Sequence, residues 1–215
     1  MAHAEQRYFI RLIKKAFPQF FVGSRVIDIG SLDVNGSARE YFENARYIGV
    51  DLVSGPGVDI VCAGEDYDAP DGCADVVLSC EAMEHNLRWA RTFKNMIRLS
   101  RPGGLVTMTC ATSGRAEHGT MKSEGATNAS GTWITNYYGN LEPDDFRRAI
   151  DLQAHLSKWM FCTNASCWDL YFAGFRNGSP PPDNAGRAFA MIKMRYLAIN
   201  FLRSSERRLR KTVWR

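Results

Sequence analysis

The sequence predicts an α/β protein: a doubly wound, mostly parallel seven-stranded sheet with an antiparallel last strand. Three observations predict it. From residue 23 onward, short β-rich apolar runs alternate with helical segments or glycine turns, the pattern of a sheet covered on both faces. The first run, Val26-Ile27-Asp28-Ile29, stops at Gly30 and a small polar turn. The second, residues 46–50, ends in an acid, Asp51. Near the other end, residues 158–163 and 168–175 flank Asn164-Ala165-Ser166 as a hairpin, which reverses the closing strand.

Taken in order, residues 4–17 place Tyr8, Ile10, Leu12, Ile13, Ala16 and Phe17 among Arg and Lys, so they form an amphipathic helix stopped by Pro18. After the first strand and Gly30, residues 37–42 are expected to be helical. Gly55-Pro56-Gly57 turns the chain into a third strand over 58–62. Asp71-Gly72 turns it into a fourth, ending at Cys80. Residues 89–99, apolar at 89, 93, 96, 97 and 99, form a helix closed by Arg101-Pro102-Gly103-Gly104, and the fifth strand covers 105–110. A polar stretch, 111–140, carries His118, Trp133, Tyr137 and Tyr138. So long a connection at the ligand edge of a sheet reads as a substrate lid. Pro143, Asp144 and Asp145 open a helix expected to reach Leu156.

Composition bounds the function. A chain of 215 residues, 45% hydrophobic and 23% charged, suits one α/β domain with a full core. No apolar run approaches the roughly 18 residues of a membrane span. Met1-Ala2-His3-Ala4-Glu5 holds an acid and no apolar core, so no secretory signal is expected and a cytoplasmic location is. The six cysteines include no C-x-x-C pair and read as small buried hydrophobes rather than zinc ligands or disulfides.

The net charge of +4 is unevenly spread: residues 187–215 hold nine Lys/Arg against one Glu, and residues 23–186 are net acidic. This last segment is expected to be a basic amphipathic helix with a stripe of Phe189, Ile192, Tyr196, Ile199 and Phe201 or Leu202. Two uses are open: contact with a membrane surface, or docking on the domain's own sheet or a second copy in a homodimer.

Strand, glycine turn and strand-end acid form a nucleotide-binding geometry, with Gly30 letting a ligand approach the backbone. The dinucleotide fingerprint is excluded, because its second and third glycines would fall on Leu32 and Asn35. The ordered set Asp28-Ile29-Gly30-Ser31-Leu32-Asp33, Tyr47-Ile48-Gly49-Val50-Asp51, residues 70–85 and residues 99–106 resembles the class I S-adenosylmethionine-dependent methyltransferases over residues 23–176. The resemblance implies a methyltransferase domain there, with 111–140 as its lid insertion. Residues 1–22 are then an N-terminal helix, 177–186 a linker and 187–215 the C-terminal helix. It implies that Asp28, Gly30 and Ser31 meet the methionine part of the cofactor, Asp51 the ribose and Leu52 the adenine. Cys80 and Glu81 would lie near the methionine end. Family members commonly hold adenine with an Asp near the position of Ala63; its absence here shifts that expectation to Glu65.

The expected activity is O-methylation of a small-molecule or glycan hydroxyl. A neutral hydroxyl must lose a proton, and His85 and His118 are the candidate bases. The segment Glu81-x-x-Glu84-His85 also resembles ubiquinone-pathway O-methyltransferases and small-RNA 2′-O-methyltransferases, where two glutamates and a histidine hold a divalent ion. That implies Glu81, Glu84, His85 and His118 as ligands for Mg²⁺ or Mn²⁺. If so, an RNA 2′-O-methyltransferase is the alternative, although the acidic body argues against a groove that tracks phosphates. A non-catalytic cofactor-binding scaffold is the other.

Overall fold

The computed structural model describes residues 4–124 and 136–213. Its centre is one seven-stranded sheet of β1 (Arg25–Ile29), β2 (Arg46–Asp51), β3 (Ile60–Val61), β4 (Ala74–Cys80), β5 (Ser100–Ala111), β6 (Leu156–Asn164) and β7 (Asp169–Arg176). They lie in the order β3-β2-β1-β4-β5-β7-β6. β7 pairs antiparallel with both β5 and β6, so it alone runs against the other six. The order reverses direction between β1 and β4, which places the loops after β1, β2 and β4 on one edge.

The central strands are buried on both faces and read accordingly as nearly continuous apolar runs. One face packs against α2 (Trp89–Leu99) and the pair α4 (Pro143–Ala149) and α5 (Leu152–His155), around Phe93, Phe146 and Phe172. The other face is covered by α1 (Ala4–Ala16) and α6 (Ala185–Val213). There Phe9 stacks on Tyr171 at 4.6 Å, and Phe17 meets the edges of Phe175 and Phe189 at 5.1 and 5.7 Å. Burying each such ring stabilises the fold by roughly 1.5–3 kcal/mol. Of the expected stripe, Phe189, Ile192 and Tyr196 are buried in this core and Ile199 packs beside it, whereas Phe201 and Leu202 are exposed. The C-terminal helix thus shares the domain's core. Among the described residues no helix is long and apolar enough to cross a membrane.

Three expected elements differ. Residues 37–42 make only one 3₁₀ turn, Ala38–Tyr41, begun by the Ser37 hydroxyl accepting from the Arg39 N–H. The third strand shrinks to two residues at an exposed edge. Val58 closes a turn onto Gly55. Asp59 N–H still donates to Gly49 O at 2.8 Å, but its carboxylate accepts the Gly49 N–H at 2.7 Å in place of a strand carbonyl, so the ladder goes no further back. The helix expected over 144–156 breaks at Ile150, which turns extended to stay buried. Asp151 restarts the chain as α5 by accepting the N–H groups of Gln153 and Ala154. The remaining helix, α3 (Met121–Glu124), is a single turn within the polar stretch.

Candidate active site

The loop after β1 is folded back on β2 by main-chain bonds. Gly30 and Ser31 N–H both donate to the Val50 carbonyl, at 2.8 and 3.2 Å, and Asp33 N–H donates to Pro56 O at 2.8 Å. Asp51, at the end of β2, completes the clasp: its carboxylate accepts from Leu32 N–H at 3.0 Å and Val53 N–H at 3.3 Å. Leu32, standing in place of a second glycine, fills the space over Gly55. Ser31 is buried against Gly49. Gly30 has φ +82°, and a Cβ there would lie 2.4 Å from Ala82 Cβ. The close packing of this loop on the turn after β4 therefore requires a glycine here, besides the ligand access expected of it.

Asp28, on the last full turn of pleat in β1, is 4% exposed. One oxygen accepts the Tyr47 hydroxyl at 2.7 Å; the other is buried with no partner among the described residues. Burial pushes its pKa up to about 6, against the lowering effect of the tyrosine. Cys80 is buried beside it, and burial also raises the thiol. Leu52 is 44% exposed, an apolar face left open next to Asp51.

Glu65, the residue expected at the adenine, also has a structural task. One of its oxygens accepts from Asn86 Nδ2 at 3.0 Å and Thr92 Oγ1 at 2.8 Å. It ties the loop after β3 to the start of α2, where a negative charge also suits the helix end.

Glu81 occupies left-handed backbone, φ +54°, at the exit of β4. Its carboxylate is buried and neither oxygen has a hydrogen-bond partner among the described residues; Arg115 Nη2 stands 3.7 Å away. Burial first, then Glu84, raises its pKa well above the usual range. Arg115 is committed mainly to the buried Asp169, with Nη1 2.6 Å from Oδ1, while Gln6 of α1 donates to Oδ2 at 2.7 Å. A chain Gln6–Asp169–Arg115–Glu81 therefore latches the first helix to the site. Beside it opens a cavity of about 460 Å³ lined by Ala4, Glu5, Gln6, Arg115 and Cys167. Sequence reading missed Gln6, Arg115 and Asp169. The only signal was a polar residue on the apolar face of an amphipathic helix; the partners are 109 and 54 positions apart along the chain, and no local pattern pairs them.

The 3₁₀ turn Met83–His85 and the polar stretch build a second group. Glu84 is fully buried, with Oε1 accepting the Ala111 N–H at 3.2 Å and Oε2 without a partner among the described residues. One ligand atom each from Glu84, His85 and His118 lie within 4.8 Å of one another. The His85 and His118 rings are 5.0 Å apart, and Tyr138 sits 4.8 Å from His118. His118 Nδ1 is 3.1 Å from the Ala116 carbonyl, so Nδ1 carries the proton and donates, leaving Nε2 with its lone pair. Burial lowers the His118 pKa and so favours the neutral ring. Glu81, expected as a metal ligand with Glu84 and His85, is not in this group, whereas His118, the expected fourth ligand, is. Glu81 leaves the strand before the turn begins, in left-handed backbone, so the helical i, i+3 relation to Glu84 does not arise. Trp133, expected in the lid, lies outside the described residues.

The buried partnerless oxygens of Asp28 and Glu81, the clasped acid Asp51 and the open Leu52 together fit a ligand that is cationic at one end and flat and apolar at the other. Residues 1–144 match a family described as Methyltransferase domain. No curated protein matches the chain in sequence. Among solved structures, the chain is similar to the 1,6-didemethyltoxoflavin-N1-methyltransferase of Burkholderia thailandensis with bound S-adenosylhomocysteine. Identity is 17%, coverage 78% of this chain and 77% of that one, and the TM-score 0.53. It is similar to the CurJ carbon methyltransferase, at 13% identity, 80% and 54% coverage and TM-score 0.56. It is also similar to phosphoethanolamine N-methyltransferase 2 of Haemonchus contortus, at 16% identity, 81% and 53% coverage and TM-score 0.55. The chain spans about half the length of the last two. The chain belongs to the methyltransferase-domain family and is a class I S-adenosylmethionine-dependent methyltransferase.

Proposed function

We propose that the chain methylates a hydroxyl of a small molecule or glycan. S-Adenosylmethionine, when bound, supplies a methyl group made electrophilic by its sulfonium. The residues that would hold it are Asp28 and Glu81 at the cationic methionine end, the main chain of Gly30 and Ser31, Asp51 at the ribose hydroxyls and Leu52 against adenine. Cys80 and the latch through Gln6 and Asp169 keep water from that end. The observation that carries the choice of a hydroxyl is the neutral His118, with its Nε2 lone pair available beside buried Glu84. An amine acceptor brings its own lone pair, whereas a hydroxyl has to give up its proton, and His118 Nε2 would receive it. Glu84 favours the resulting imidazolium.

A second reading rests on the 4.8 Å clustering of ligand atoms from Glu84, His85 and His118. These three would hold a divalent cation, with Mn²⁺ suiting the mixed imidazole and carboxylate donors better than Mg²⁺. There the cation, rather than His118, would lower the pKa of the hydroxyl.

A transfer assay with methyl-labelled cofactor against matched alcohol, phenol, catechol, sugar and amine acceptors tests the reading. Label on oxygen acceptors is the expected result. Label only on amines would overturn it.

A further inference from the structure

Helix α6 has two apolar faces. Ala185, Phe189, Ile192 and Tyr196 are buried in the core. Met191, Met194, Leu197, Phe201 and Leu202 are 60–71% exposed. At 3.6 residues per turn these five fall within an arc of roughly 140° centred opposite the buried face. Scattered exposed apolar residues need no explanation, but five large ones aligned on one helix do.

We propose that this second face seats the protein reversibly on an anionic lipid surface, with α6 lying in the plane of the headgroups. Lys193 and Arg195, both exposed, border the stripe on its two sides. Over residues 187–215 the sequence has nine Lys/Arg and a single Glu. That composition decides between occupants. A second copy of the chain would bring two strongly basic helices face to face with almost no acid to offset them. An anionic bilayer makes the same charges attractive, by about fivefold in binding for each basic residue near the surface. The apolar stripe supplies the anchoring.

The geometry also places the surface. Asn200 ties α6 to the end of β6, donating to Thr163 O at 2.8 Å and accepting from Ala165 N–H at 2.7 Å. That end of β6 belongs to the edge that carries the site, so the helix from 201 to 213 extends about 20 Å past it. A bilayer under α6 would border the same edge as the cavity at Arg115 and Cys167.

Co-sedimentation of the full chain with vesicles of phosphatidylcholine alone, or mixed with phosphatidylserine, tests the proposal. Binding is expected only with phosphatidylserine and falls as NaCl rises. Lys193→Ala should weaken it about fivefold, and Met194→Glu or Phe201→Glu about tenfold or more. These side chains are exposed, so melting temperatures should stay unchanged, and Met191→Ser provides a milder variant. Equal binding to both vesicle types would overturn the proposal. So would a dimer in sedimentation velocity that Phe201→Glu dissociates, with no vesicle binding by the intact chain.

Discussion

Asp51 accepts the main-chain N–H of Leu32 at 3.0 Å, so the acid at the end of β2 holds the loop after β1 in place. Its second oxygen is held by Val53 N–H at 3.3 Å. Each carboxylate oxygen still has a lone pair for a ribose hydroxyl. Asp51→Ala is therefore expected to weaken cofactor binding by about 1–3 kcal/mol, through unpaired hydroxyls and a loosened loop. Titration calorimetry with S-adenosylhomocysteine measures this. An unchanged affinity in a folded variant would reject the assignment.

Asp28 should make cofactor affinity depend on pH. Burial raises its pKa from 3.8 to about 6, so the folded protein favours the neutral acid. The resulting stabilisation is present below pH about 4 and is lost as pH rises through about 6, where a buried carboxylate forms. A cationic ligand end favours that carboxylate. Affinity is expected to rise with pH up to about 6 and then level off, and Asp28→Asn should flatten the curve while raising the melting temperature of the ligand-free protein at pH 8. A pH-independent affinity in the wild type between pH 5 and 7 would contradict this.

Glu81 stores cost in the ligand-free fold: a buried carboxyl group with no hydrogen-bond partner among the described residues, on left-handed backbone. Glu81→Gln removes the ionisable group and keeps the shape. It is expected to raise the melting temperature and to weaken binding of the cofactor by roughly tenfold or more, a charge-assisted contact being worth about 1.5–3 kcal/mol. A variant that is both less stable and equally good at binding would show that the carboxylate serves the fold alone.

The strands, the sheet class and the strand-end acids were legible because each depends on a local pattern. Val26-Ile27-Asp28-Ile29-Gly30 needs no distant partner to read as a buried strand ending in a turn. The elements misread are those decided by tertiary contacts. The third strand stops short because the Asp59 carboxylate takes the Gly49 N–H that a strand carbonyl would accept, and Ile150 leaves its helix because burial outweighs propensity. The site shows the same division. His85 and His118 stood out by residue type, and the fold brings them together. Arg115, Asp169 and Gln6 come from three elements that only the β5–β7 pairing and the placement of α1 bring together. The tie from Glu65 to Asn86 and Thr92 was not legible, because these partners are more than 20 positions away.

Gly30 gives a test of loop packing. An added Cβ would sit 2.4 Å from Ala82 Cβ, on backbone at φ +82°. Gly30→Ala should cost about 1–2 kcal/mol for the left-handed conformation and about 1–3 kcal/mol for the overlap. Ala82→Gly removes the overlap but not the conformational cost, so the double variant should recover only the second part. Denaturant unfolding of the four proteins measures both. Full additivity of the two single changes would mean that the contact is absent in solution.

The pair of readings for Glu84, His85 and His118 separates most cleanly by chelation. If His118 Nε2 receives the hydroxyl proton directly, excess EDTA leaves turnover intact, and His118→Ala lowers kcat by about 10²–10⁴ with cofactor affinity kept. Adding Mn²⁺ then changes nothing. If the three residues hold a cation, EDTA abolishes turnover, Mn²⁺ restores it, and Glu84→Gln behaves like His118→Ala because both remove a ligand. Glu84→Gln distinguishes the readings even without EDTA. Oε1 accepts from Ala111 N–H, which an amide oxygen can also do, so the variant should fold. In the direct mechanism it loses only the support given to the imidazolium, a smaller drop than His118→Ala; in the metal mechanism its loss is as large and is partly offset by excess Mn²⁺. Loss of cofactor binding in His118→Ala would contradict both readings, because the His118 contacts among the described residues are to Ala116, His85 and Tyr138 rather than to the β1 or β2 loops.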